Sequence, residues 1–219
     1  SMTGVEKEYM GVELAASVKL TSNLTLKALG TFNNAEYVNN PNANLTYENE
    51  SETTQDVVYI DGMKESGTPL SAYSLGLDYN VKGWFFSING NYYHRGFIDF
   101  STYRRLGKVL GVSAGENGTV GEDGNKVNVN IPGQEEFDGG FMLDLSIGKY
   151  IRLQKGRALS INLTLNNVTN NTDMKTGGYE QNRDDAYDDG RERPYQFSRH
   201  SKYYYAQGLN GFLNIGFRF

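Results

Sequence analysis

The chain contains no cysteine. That excludes a disulfide scaffold, a Cys-ligated zinc site and a thiol nucleophile. Histidine is nearly absent, with only His94 and His200, so a His-rich metal cluster is excluded as well. No apolar run reaches the ~18 residues that mark a helical membrane span. Basic residues number 21 against 26 acidic ones, a net charge of −5, and no basic stripe marks a nucleic-acid partner. Helical 3.6-residue spacing is hard to find anywhere. The opening SMTGVEKEY lacks a basic region followed by an apolar stretch and is not read as a signal peptide, so a mature chain or a fragment is expected. The mean hydropathy of −0.57 does not exclude a membrane β-barrel, whose strands alternate polar and apolar residues and look soluble on average.

What the chain does have is Tyr (16), Phe (11), Gly (26) and a period of two. At 219 residues, one all-β unit is expected. Seven stretches read as strands, at about 9–20, 23–36, 70–81, 83–97, 137–153, 157–169 and 202–219. In the first, Val12, Leu14, Ala16 and Val18 oppose Glu13, Ala15, Ser17 and Lys19. In the sixth, Leu159, Ile161, Leu163 and Leu165 oppose Ser160, Asn162, Thr164 and Asn166. The polar parity also carries Lys27, Asp78, Asp144 and Arg218. Thr21-Ser22, Lys82-Gly83 and Gln154-Lys155-Gly156 are hairpin turns. The other three connections, roughly 37–69, 98–136 and 170–201, are long and polar. Short turns at one end and long loops at the other are the pattern of an outer-membrane barrel. The last strand adds aromatic residues at both ends, Tyr203, Tyr204 and Tyr205 at one and Phe217 and Phe219 at the other. Lys149 shares the parity of Phe141 and Ile147, so it is expected on the lipid face near the short turns, reaching water by its long stem.

The expected fold is therefore all-β, an antiparallel transmembrane β-barrel segment of about seven strands. An odd number leaves the first and last strands running in the same direction, unable to close a ring antiparallel. Other strands must complete the wall. Val57–Ile60 and Val127–Ile131 are short candidates for an eighth. A soluble β-sandwich alternates too, and would bury its apolar face against a second sheet.

Several segments resemble one family. GFLNIGFRF, ending on Phe219, resembles the assembly signal of outer-membrane barrels, carried by Phe217 and Phe219. SINLTLNNVTNNTDMKTGGYE resembles the penultimate strand and loop of TonB-dependent receptors. EYMGVEL resembles their Gly-x-Glu strand opening, and KYYYAQGLN resembles the approach to the final strand in their glycan- and nutrient-importer branches. The resemblance covers essentially the whole chain as the last seven strands of a barrel of about 22. It implies an outer-membrane location in a Gram-negative bacterium, a periplasmic C-terminus, extracellular long loops and nutrient uptake energised by TonB. It implies as partners the outer-membrane lipid, the remainder of the barrel, a plug domain, the TonB complex reached through an N-terminal part, and the barrel assembly machinery, and leaves a surface lipoprotein open. No residue here matches the plug or the TonB-contacting segment. A diffusion porin or small outer-membrane barrel, and a soluble β-sandwich carbohydrate-binding module, are the alternatives.

Site residues are sought in the loops. Tyr103, Arg104 and Arg105 follow the fourth strand, and aromatic-plus-Arg clusters favour binding surfaces. Tyr179, Arg183, Tyr187 and Arg191 are further ligand candidates. Asp184, Asp185, Asp188 and Asp189 offer the oxygen ligands calcium takes, but not the spacing of an EF-hand loop. A solvated loop crossed by ion pairs with Arg183, Arg191 and Arg193 is the plainer reading, and no metal or cofactor is expected. The Gly-rich GVSAGENGTVGEDGNK (111–126) lacks Walker spacing and reads as a flexible outer loop. Ser198 and His200 have nothing to orient them and no GxSxG elbow exists, so an enzyme is not expected.

Overall fold

A computed structural model describes residues 1–46, 53–115, 118–121, 131–182 and 201–219, the side chains of 113–121 excepted. Its main body is one seven-stranded antiparallel sheet. The strands are β1 (Lys7–Lys19), β2 (Leu24–Tyr37), β3 (Ser71–Val81), β4 (Trp84–His94), β5 (Gly140–Arg152), β6 (Ala158–Asn166) and β7 (Asn210–Arg218). Spatial order equals chain order, the meander that alternating short and long connections produce.

Register follows from parity. Val18, Leu26, Leu77, Ile88, Leu145 and Leu165 are successive partners across six strands. One residue along, Lys19, Thr25, Asp78, Ser87, Ser146 and Thr164 form a polar row. A slip of one residue in any strand would put its apolar set among the polar rows.

The short turns have the chemistry their length demands. Lys82 and Gly83 both take positive φ, 44° and 79°, as a two-residue type I′ hairpin requires. A Cβ at Gly83 would meet the Tyr150 carbonyl oxygen at 2.6 Å. The β1–β2 turn is closed by Thr21 Oγ1, which accepts from the amides of Asn23 (3.2 Å) and Leu24 (3.0 Å).

The apolar face is not covered by a second sheet among the described residues. Leu14 is 71% exposed, Leu75 59% and Ile215 64%. The burial a sandwich requires is therefore not found. Nor do the described residues close a ring: β1 pairs only with β2, and β7 only with β6.

The true buried core lies at the long-loop end. Ala43, Val58, Ile60, Phe100 and Leu106 pack together there, with Tyr37, Met63 and Tyr103 against them. A smaller cluster joins Ala35, Leu70 and Phe97.

Three expectations need correction. The stretch 202–219 is two elements: Lys202–Tyr205 pairs with Lys175–Tyr179 in an outer hairpin, and the wall strand begins at Asn210. Tyr203, Tyr204 and Tyr205 therefore stand beyond the wall rather than at the end of its last strand. The chain breaks there because Asn167 Nδ2 donates to the Gln207 carbonyl and Asn170 Oδ1 accepts from the Leu209 amide. Second, Thr54–Val57 pairs with Asn42–Leu45 in a small sheet outside the wall, since Val58 and Ile60 are buried in the loop core. Of 127–131 only Ile131 is described, outside any strand. Third, part of the Gly-rich stretch read as loop is strand, Val112–Gly115 pairing with Gly118–Gly121.

Candidate functional site

The long loops are built around Arg105. It ends a single 3₁₀ turn, Tyr103–Arg105, and its side chain is fully buried. Nη1 donates to Glu180 Oε2 at 2.7 Å and Nη2 to Glu180 Oε1 at 3.0 Å, a bidentate fork on a carboxylate from a different loop. The same guanidinium donates to the carbonyls of Ser101 (3.0 Å), Pro132 (2.9 Å) and Gly133 (3.2 Å) and lies over the Phe100 ring. Glu180 also accepts from the Ser101 amide at 2.9 Å. A charge so buried is tolerable only because it is paired and hydrogen-bonded.

A second knot holds the outer hairpin. Lys175 Nζ lies 2.7 Å from Glu135 Oε1, and the Tyr203 hydroxyl donates to Glu135 Oε2 at 2.7 Å. The ammonium also stands 3.9 Å from the Tyr203 ring centroid. Partial burial opposes ionisation of Glu135, but the bonds from Lys175 and Tyr203 outweigh it and hold the carboxyl below its usual range. The Glu135 bond raises Lys175 above the ordinary lysine value, against a smaller opposing effect of burial.

Asn167 is the hinge between wall and loop. It takes φ = 50° and is 2% exposed. Nδ2 donates to the carbonyls of Asn171 (3.0 Å) and Gln207 (2.9 Å); Oδ1 accepts from Thr169 Oγ1 (3.0 Å) and the Asn171 amide (3.0 Å). Its own amide donates to Asp144 Oδ1 at 2.8 Å. The Asn-Asn motif is thus a turn in which one side chain satisfies three backbone groups and one hydroxyl.

Between these knots lies a cavity of about 250 Å³. It opens on the side of the sheet that carries Tyr93 and Met142, with Phe97, Phe137, Met174 and Lys175 also lining it. A Cβ at Gly140 would strike the Met174 side chain at 2.5 Å, so glycine there lets Met174 form the wall.

The expected site residues separate. Arg105 is buried and committed to Glu180 and loop carbonyls, which removes it from any ligand-facing surface: a fully desolvated guanidinium has to be satisfied from within. Tyr103 packs on the loop core and Arg104 is half-buried in the same turn. Tyr179 is 42% exposed and its ring lies 6.3 Å from that of Tyr204. Arg183, Tyr187, Arg191, Arg193 and the four aspartates Asp184, Asp185, Asp188 and Asp189 lie outside the described residues, as do Ser198 and His200. Phe97, Phe137, Met142, Met174, Glu135 and Glu180 were not singled out by sequence. Only Asn167 had a visible signal, the Asn-Asn pair ending an alternating strand. Lys149 stands where parity put it: it pairs with Trp84, lies 4.7 Å from that ring and donates to the Lys82 carbonyl at 2.9 Å.

Comparison with protein-family models, with curated proteins and with solved structures finds no match to this chain.

Proposed function

We propose that the chain is a wall segment of a TonB-dependent outer-membrane receptor, its β1–β7 sheet one stretch of a larger transmembrane barrel. The observation that carries this reading is the exposed apolar face running unbroken across seven strands. On that face, the row Tyr73, Tyr92 and Phe141 stands at the loop end and the row Val81, Trp84 and Lys149 at the turn end. Eight residues separate them along a strand, about 27 Å at ~3.4 Å per residue. Tilt reduces that toward the ~25 Å apolar band of a barrel, with aromatic girdles at its borders.

In this reading the apolar face meets lipid and the polar rows face the lumen and plug. Phe217 and Phe219 serve the assembly machinery, the turns and C-terminus are periplasmic, and the packed loops are extracellular. Uptake energy comes from TonB through parts of the receptor not in this chain. The protein's chemistry is recognition rather than catalysis.

The test uses single cysteines, for which this chain supplies no competitor. A bimane label at Ile88 or Leu145 in the membrane-embedded protein should be quenched by nitroxide-bearing lipids. The same label at Asn89 or Ser146 should not. Equal quenching on both parities, or none on either, contradicts the reading.

A further inference from the structure

The cavity at the loop end has a lining that specifies a kind of ligand. Its walls are mostly apolar: Phe97, Phe137, Met142 and Met174. Its volume of about 250 Å³ falls just under the ~300–1,000 Å³ of pockets for drug-sized molecules, so it suits something smaller, with one ring.

The polar side chains at the same cavity are Tyr93, Thr68 and Thr176; His94, next along the strand, turns to the other face and stacks on Tyr92. None of these three side chains has a hydrogen bond within the described residues, whereas neighbouring Glu135, Gln134 and Asn167 are all engaged. They are donors and acceptors left for something else. The one charged residue in the lining, Lys175, is already neutralised by Glu135 at 2.7 Å and stands against the Tyr203 ring. An ionic ligand would find no unpaired counter-charge and would lose its hydration uncompensated. A carboxylate would also meet the negative charge of Glu135, and an ammonium the positive charge of Lys175.

We infer that this cavity binds a small uncharged amphipathic molecule, with its ring or short chain among Phe97, Phe137, Met142 and Met174 and a hydroxyl or amide bonded by Tyr93 and its polar neighbours. The inference deepens the uptake reading by naming a ligand class for the loop end. It rests on that reading only for the direction from which the ligand arrives.

The experiment compares 3-phenylpropanamide with 3-phenylpropionate, near-isosteres that differ in charge. Binding is measured by saturation-transfer NMR on the full-length protein in lipid nanodiscs, against empty discs. The amide should bind at least tenfold more tightly than the acid. Tyr93→Phe should weaken the amide several-fold while leaving the acid unchanged, and Met142→Trp should abolish amide binding by filling the space. Acid and amide binding alike, the acid binding better, or no binding of the amide to the wild-type protein each overturns the inference, and none of these depends on a variant folding. Protein that stays out of the discs counts against the membrane reading instead. Amide binding is then measured on that fraction, so the two failures are told apart.

Discussion

Glu180→Ala should release the loops without unmaking the wall. The substitution removes both acceptors of the Arg105 fork and the acceptor of the Ser101 amide. It leaves a fully buried cation held only by the carbonyls of Ser101, Pro132 and Gly133. Breaking a buried pair by deleting one partner costs about 3–5 kcal/mol, because the survivor stays desolvated and unpaired. At about 1.4 kcal/mol per factor of ten, the loop-opening equilibrium rises by roughly two to three and a half orders of magnitude. Native-state hydrogen exchange reads it directly at the amides of Tyr59, Ile98 and Asp99: the bonds of Tyr59 to Arg105 and of Asp99 to Gly178 cross between loops, and that of Ile98 to Glu135 ties the two ends of one loop. Wall amides such as those of Leu77 and Leu145 should keep wild-type exchange. The double variant Arg105→Met/Glu180→Leu should recover most of the loss, since an apolar pair of similar volume leaves no buried charge. A rise of less than tenfold at those three amides in Glu180→Ala, or a double variant no better than the single one, would refute the reasoning.

Leu145→Lys places a charge in the middle of the apolar face and should cost about 2–4 kcal/mol in bilayer folding equilibria, whereas Lys149→Leu, at the turn end, should change stability by no more than about 1 kcal/mol. Asn167→Ala strips a buried turn of its side-chain partners and should lower stability by about 1–3 kcal/mol in urea titrations, from the carbonyls and amide left unsatisfied. The Lys175–Glu135–Tyr203 knot should be pH-sensitive at both extremes. Glu135 is held below the usual carboxylate range, so its stabilisation is complete above that range and is lost as pH falls through its depressed value. Lys175 is raised, so its stabilisation is complete below the usual lysine value and is lost only as pH climbs through the raised one. Between about pH 5 and pH 10, outside both ordinary ranges, proteolysis at the paired strands Lys175–Tyr179 and Lys202–Tyr205 should be flat, with faster cleavage on the acid side.

The strands, their order and their two faces were legible in the chain itself. Alternation such as Leu159-Ser160-Ile161-Asn162 states which side each residue takes, because a pleated backbone turns successive side chains to opposite faces. Lys82-Gly83 states a hairpin because few residues accept positive φ twice in succession. These are local rules, and the wall obeys them. The loops obey no period, and their core was decided only in three dimensions. Arg105 read as a binding residue because arginine beside tyrosine usually marks a surface. Its partner Glu180 lies 75 residues away, and nothing in either neighbourhood announces the pairing. The cavity is likewise made where Phe97 and Phe137, from the two ends of the β4–β5 connection, meet Met142 of β5 and Met174 of the connection after β6. Burial there depends on which distant segments share a volume, and that is a property of the packed chain, not of any stretch of it.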